Sequence, residues 1–146
     1  WFLDTGTRHL VHFVDNVAGY DVTGNGRRLR HDPRFAPQGV NVNFVQVNVP
    51  GQEITVRTFE KGVEDETLAC GTGIVASSLA TWLGTRLATR QSTSCDDLGS
   101  RQITVHARIS DLSVTFTPSL HPAPSASRFT DIWLQGPAAF ICRVEI

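Results

Sequence analysis

The stretch "ETLACGTGIVAS", Glu66–Ser77, runs on into "SLATWLGTRL" (residues 78–87), and its reading decides what the rest of the chain must do. From Gly71 to about Leu87 the apolar residues Ile74, Val75, Leu79, Trp82 and Leu83 recur at helical spacing, with Ala76, Ser77, Ser78 and Ala80 filling much of the remainder. A helix so small-residued and so poor in charge has no solvent face and must be enclosed on most sides. The enclosing elements have to be strands, because nearly every other patterned segment alternates.

"WFLDTGTRHLVHFV" (1–14) reads as extended chain broken by a Thr-Gly-Thr turn, with His9, Val11 and Phe13 on one side and Leu10, His12 and Val14 on the other. "VNVNFVQVNV" (40–49), the turn Pro50-Gly51 and "QEITVRTFEKG" (52–62) read as a hairpin. Three more strand segments follow the helix: "RQITVHARI", "DLSVTFTPSL" and "FTDIWLQGPAAFICRVEI", the last broken at Gly136-Pro137. "TRQSTSCDDLGS" and "HPAPSASR" read as loops. The centre of Tyr20–Phe35 fits a short helix, against which Gly24, Asn25 and Gly26 argue. The expected architecture is α+β, a mostly antiparallel barrel-like sheet wrapped around one central hydrophobic helix.

Composition narrows the function classes. The 146 residues fit one domain, 1–146, with 40% hydrophobic and 18% charged side chains and a formal net charge of -1. Scattered Lys and Arg exclude a nucleic-acid groove or an anionic membrane surface as the main partner. No apolar run approaches the roughly 20 residues of a membrane span, and no secretory signal is recognisable. Three widely spaced cysteines do not form a disulfide framework or a CxxC metal motif, which points to a reducing, cytoplasmic setting without bound metal. There is no methionine and the chain opens on Trp1, so a piece of a longer protein is expected.

Cys70 stands directly before the helix, where unpaired N–H groups and the helix dipole stabilise a thiolate. The same N–H groups, on Gly71, Thr72 and Gly73, form a nest for a carboxylate or phosphate. A thiol beside such a nest suits proton chemistry on a carbon next to a carboxylate. "GTGIVA" also fits the G-x-G-x-x-A nucleotide fingerprint, but an acid-rich segment separates it from the preceding strand and no βαβ unit follows, so a dinucleotide site is not expected.

"FEKGVEDETLACGTGIVAS" resembles the signature of diaminopimelate epimerases, in which Glu-Arg-Gly precedes Glu-Thr-x-x-Cys-Gly-Ser/Thr-Gly. "TGTRHLVHFV" resembles that family's Gly-Asn-Pro-His strand, "FAPQGVNVNFVQV" its Phe-Pro-x-x-x-Asn-x-x-Phe segment, and "IWLQGPAAFICRVEI" its closing Leu-x-Gly-Pro-Ala strand. These landmarks keep the family's order and correspond to its C-terminal half, so the N-terminal half is absent. The resemblance implies a two-domain enzyme with its site between the halves. Its reaction is a cofactor-free interconversion of LL- and meso-diaminopimelate in lysine and peptidoglycan-precursor synthesis, with two cysteines acting from opposite faces of the α-carbon. It implies that Cys70 is one of the pair and that His9 and Glu60 assist the acid/base exchange and contact the α-amino group. Gly71 and Thr72 would hold the reacting carboxylate, and Asn41 would read the distal end of the substrate.

The chain departs from the family pattern in three places. Lys61 replaces an arginine, exchanging a bidentate fork for a point charge at a substrate-binding position. Thr7 stands where the family's amide would contact substrate, and the Glu60–Cys70 segment is one residue longer than usual. Cys95, in a polar loop, reads as a surface thiol and Cys142 as a packing residue, so the second catalytic cysteine is assigned to the missing half and the lone chain is expected to be inactive. His12, His106 and His121 read as solvent-facing or locally satisfied, and "GRRLRHDPR" as a solvated face. A proline or hydroxyproline racemase-like enzyme of the same fold, or a silent amino-acid-binding domain, remains an alternative. A half-enzyme would leave an apolar cleft wall open, so self-association into a homo-oligomer is expected.

Overall fold

A computed structural model describes residues 1–89, 99–119, 121, 127–139 and 143. The strands are β1 (Phe2–Asp4), β2 (Arg8–Phe13), β3 (Asn41–Val49), β4 (Glu53–Glu60), β5 (Asp65–Thr67), β6 (Arg101–His106), β7 (Asp111–Ser119) and β8 (Arg128–Gln135). Two α-helices accompany them, α1 (Val22–Arg30) and α2 (Gly71–Thr89), with a 3-10 turn at Pro33–Phe35. The sheet order is β1-β2-β3-β4-β6-β7-β8. Only β2–β3 and β4–β6 run parallel among these pairings; the others are antiparallel. β4 shares its second edge: Glu53–Thr55 pair with β6, and Thr58–Glu60 pair with β5.

The curled sheet wraps α2, which packs against β1, β2, β3, β4, β6 and β7. Ile74, Leu79, Trp82 and Leu83 of the helix meet Val11, Val45, Ile54, Val56, Ile103, Val105, Val114 and Phe116 of the strands in one core. Trp82, Phe116 and Phe129 close it with mutual edge-on contacts at 5.6–6.0 Å. The polar residues of α2 do not spoil this burial. Ser77, Ser78 and Thr81 each donate a hydroxyl to the carbonyl four residues earlier, at 2.7–2.9 Å. Small, self-satisfied side chains let strands approach the helix from several sides.

The opposite sheet face carries a second core, in which α1 covers Val40, Val42, Phe44 and Phe59. Of the glycines that weigh against a helix in the sequence, Gly26 is what allows this one to dock. A Cβ on Gly26 would lie 2.4 Å from Cβ of Phe59. Asp21 caps the helix by accepting from the Gly24 amide at 2.8 Å.

The acidic run before α2, an irregular connection in sequence terms, contains β5. Glu66 takes a bidentate pair of bonds from Arg57 at 2.7 and 2.6 Å, and Arg57 also donates to the carbonyls of Val17, Ala18 and Tyr20. Glu64 accepts from Arg30, and Asp65 from Thr23. All three acids are therefore engaged with Arg57 or α1, on the face away from α2. Residues 90–98, 120, 122–126, 140–142 and 144–146 lie outside the described residues, and with them Cys95, Cys142 and most of the second half of the closing segment.

Candidate functional site

The alternation that builds the α2-facing core turns polar at one end. Along β2, β3 and β4 the inward positions are His9 and Val11, then Asn41, Asn43 and Val45, then Ile54, Val56, Thr58 and Glu60. Register sets His9 beside Asn41 and Asn43 beside Thr58. The polar end of this face lies against the N-terminus of α2, so the strands bring together residues more than sixty positions apart in the chain.

At that terminus the carbonyl of Cys70 accepts from the Ile74 amide at 2.8 Å, which makes Cys70 the N-cap residue. The amides of Gly71, Thr72 and Gly73 have no hydrogen-bond partner among the described residues and lie at the positive end of the helix dipole. Thr5 donates its hydroxyl to the Thr72 carbonyl at 3.0 Å and ties the β1–β2 turn to the helix start. Gly73 is the point of closest approach: a Cβ there would fall 2.2 Å from Oδ1 of Asn43 and 3.3 Å from Cε1 of His9. Only glycine lets the helix come so near.

A continuous line of hydrogen bonds runs from the core to the sulfur. Thr58 Oγ1 donates to Asn43 Oδ1 at 3.0 Å, and Asn43 Nδ2 donates to His9 Nδ1 at 3.1 Å. His9 Nε2 meets Thr72 Oγ1 at 3.0 Å, and Thr72 Oγ1 lies 3.7 Å from Cys70 Sγ. His9, Asn43 and Thr58 are buried, whereas Cys70 is half-buried and Thr72 exposed. Burial pushes His9 down to about 4, against a smaller opposing pull from the Asp4 carboxylate, so the imidazole is neutral at neutral pH.

The other residues singled out in the sequence surround this line without joining it. Asn41 is buried with its amide spent on backbone: Nδ2 donates to the Arg8 carbonyl at 3.2 Å and Oδ1 accepts from the Lys61 amide at 2.9 Å. It thereby fixes the start of the segment that Lys61 opens. Glu60 ends β4 half-buried, and its carboxylate has no hydrogen-bond partner among the described residues. Thr7 lies in the β1–β2 turn, where its carbonyl accepts from the Thr5 amide. Beside the helix start opens a cleft of about 650 Å³ whose walls include Asp4, Thr5, Gly71, Thr72, Ile132 and Leu134.

Asn43, Thr58 and Thr5 are the members that sequence reasoning passes over. The first two have a signal: on β3 and β4 they are polar at inward positions that continue a row of Val and Ile (Val45, Ile54, Val56) toward Asn41 and Glu60. Thr5 has none, because its role depends on a turn meeting a helix 67 residues away. His106 bonds Asp111 and Glu53 locally, at 2.7 and 3.2 Å. Among the described residues no group of three His, Cys, Asp or Glu side chains is placed to hold a metal ion, and no helix is long and apolar enough to cross a membrane.

A family model described as diaminopimelate epimerase matches residues 1–117. The diaminopimelate epimerase of Flavobacterium psychrophilum is 37% identical over 145 residues, which is 99% of this chain and 50% of that protein. That of Chlorobaculum tepidum is 49% identical over 78 residues, 53% of this chain and 30% of its own. The chain spans about half the length of the relative that it matches from end to end. Among solved structures, one described as a predicted epimerase from Pseudomonas aeruginosa superposes with a TM-score of 0.51 over 77% of this chain and 33% of its own. At 16% identity that is a likeness of fold.

Proposed function

Because this chain belongs to the diaminopimelate epimerase family, we propose that it supplies one half of a cofactor-independent amino-acid epimerase that interconverts LL- and meso-diaminopimelate. The observation that carries the reading is the placement of Cys70 at the start of α2, hydrogen-bonded through Thr72 to a neutral, buried His9. In one direction the Cys70 thiolate takes the α-proton and the C–H electron pair stays on the α-carbon. The resulting carbanion spreads its charge into the adjacent carboxylate, which the Gly71 and Thr72 amides hold at the helix terminus. A thiol from the second half delivers a proton to the opposite face, inverting the centre and becoming the thiolate for the reverse reaction.

Glu60 and His9 assist this exchange, with Glu60 reaching the α-amino group from the end of β4. Asn41 and Lys61 belong to the wall that reads the distal end of the substrate, and Thr7 offers a hydroxyl where the family's amide contacts it. Lys61 gives a single mobile ammonium where relatives of the family signature carry a guanidinium, so the distal carboxylate is attracted without a fixed fork. The second cysteine comes from an N-terminal half, and the reaction belongs in the cytoplasm with other amino-acid biosynthesis.

The test is α-proton exchange of LL-diaminopimelate in deuterated water, with the chain alone and then with an N-terminal half from a relative. Exchange that appears only with the added half and disappears in Cys70→Ala is the expected result. A complex that forms and exchanges nothing would remove the epimerase reading and leave a domain that only binds.

A further inference from the structure

The line from Thr58 to Cys70 has a direction. The amide of Asn43 could in principle face either way, but its Nδ2 also lies 3.4 Å from the carbonyl oxygen of Leu10, which can only accept. That carbonyl sets the nitrogen toward β2 and leaves Oδ1 for the hydroxyl of Thr58. His9 Nδ1 therefore faces a donor and must be the acceptor, so in the neutral ring the proton sits on Nε2. With Nε2 donating, Thr72 Oγ1 accepts, and the hydroxyl hydrogen of Thr72 is released to point elsewhere. Sγ of Cys70 is the acceptor within reach, at 3.7 Å.

We infer that Asn43, anchored by Thr58, is a positioning residue that locks His9 in its Nε2-protonated tautomer and thereby turns the Thr72 hydroxyl to donate to Sγ of Cys70. Its consequence for catalysis rests on the acid/base reading of Cys70; the lock itself does not. Every donor in the line then points toward the cleft, and a negative sulfur is the state the line is built to receive. Gly73 is part of the device, since any side chain there would displace the Asn43 amide.

The experiment is ¹⁵N NMR of the His9 ring in this chain, paired with the pH profile of Cys70 alkylation read by peptide mass spectrometry so that Cys95 and Cys142 are counted apart. The native chain at neutral pH should carry its ring proton on Nε2. Asn43→Asp, which sets an acceptor against Nδ1, should move the proton of the neutral ring to Nδ1 and raise the His9 titration by about 1–3 units. It should also shift the midpoint of Cys70 alkylation upward, and Thr72→Val should do the same while leaving the His9 tautomer alone. A native ring protonated on Nδ1 would overturn the inference with no variant needed. So would a tautomer switch in Asn43→Asp that leaves the Cys70 profile where it was. These measurements use no substrate, so a failure of proton exchange with diaminopimelate would strike the proposed reaction and not the lock.

Discussion

Burial holds His9 neutral down to about pH 4, and this makes it a source of pH-dependent stability as well as a candidate participant in chemistry. The unfolded imidazole titrates near 6.5, so between about 6.5 and 4 the unfolded chain binds a proton that the folded chain refuses. Stability is therefore full above the unfolded value and falls as the pH drops through that window, by about 3 kcal/mol at its end. Urea denaturation at pH 7 and pH 4 should show this loss in the native chain, and His9→Gln should reduce it by a similar amount. An unchanged acid loss in His9→Gln would overturn the assignment to the imidazole; the carboxylates held low by their partners, Asp32, Glu64 and Asp65, lose their stabilisation mainly at and below the lower end of that window. At this scale the sequence is legible where chemistry is local. Cys70, Gly71 and Thr72 follow from a cysteine beside a helix start. Thr5 could not be read, because its partner is a carbonyl that only the tertiary fold brings near.

Among elements, α2 was fully legible because its periodicity, composition and length agree, and the β3–β4 hairpin because alternation and turn chemistry agree. α1 was ambiguous for a physical reason. Helix propensity counts Gly24 and Gly26 against it, whereas tertiary packing on Phe59 requires a residue without Cβ at 26. β5 was hidden because three residues carry no period. The glycines give a test with opposite signs. Gly26→Ala drives a methyl into the buried Phe59 ring and should cost about 1–3 kcal/mol despite the better helix former. Gly84→Ala in α2 meets Trp1 at 3.7 Å, an ordinary contact, and should stabilise by up to about 1 kcal/mol. A thermal midpoint that rises in both variants would show that propensity, and not the approach of α1 to β4, governs position 26.

For the molecule as a whole, the cleft wall beside the helix start is the surface that the proposed second half must cover. Ile132 and Leu134 of β8 stand there 40% and 41% exposed, large apolar side chains in the same cleft as Gly71 and Thr72. A partner that binds only the folded chain stabilises it by mass action, about 2.7 kcal/mol at a hundred times its dissociation constant. For a chain of this size that corresponds to a rise of roughly 5–10 °C in the unfolding midpoint. An added N-terminal half should produce that rise and slow the alkylation of Cys70, because the sulfur would face the partner across the closed cleft. Leu134→Asp should abolish both effects, with the rise read against the variant's own midpoint, since a side chain 41% exposed is still partly buried. If the rise survives Leu134→Asp, the second half docks on another face; the apolar groove at the far end of α2, between Trp1, Phe13, Val47 and Leu87, is then the surface to alter next. A loss of the rise with alkylation of Cys70 still slowed would mean that the amide nest and the apolar wall are covered independently. The two readouts thus separate docking from the enclosure of the site, which a single active chain would join.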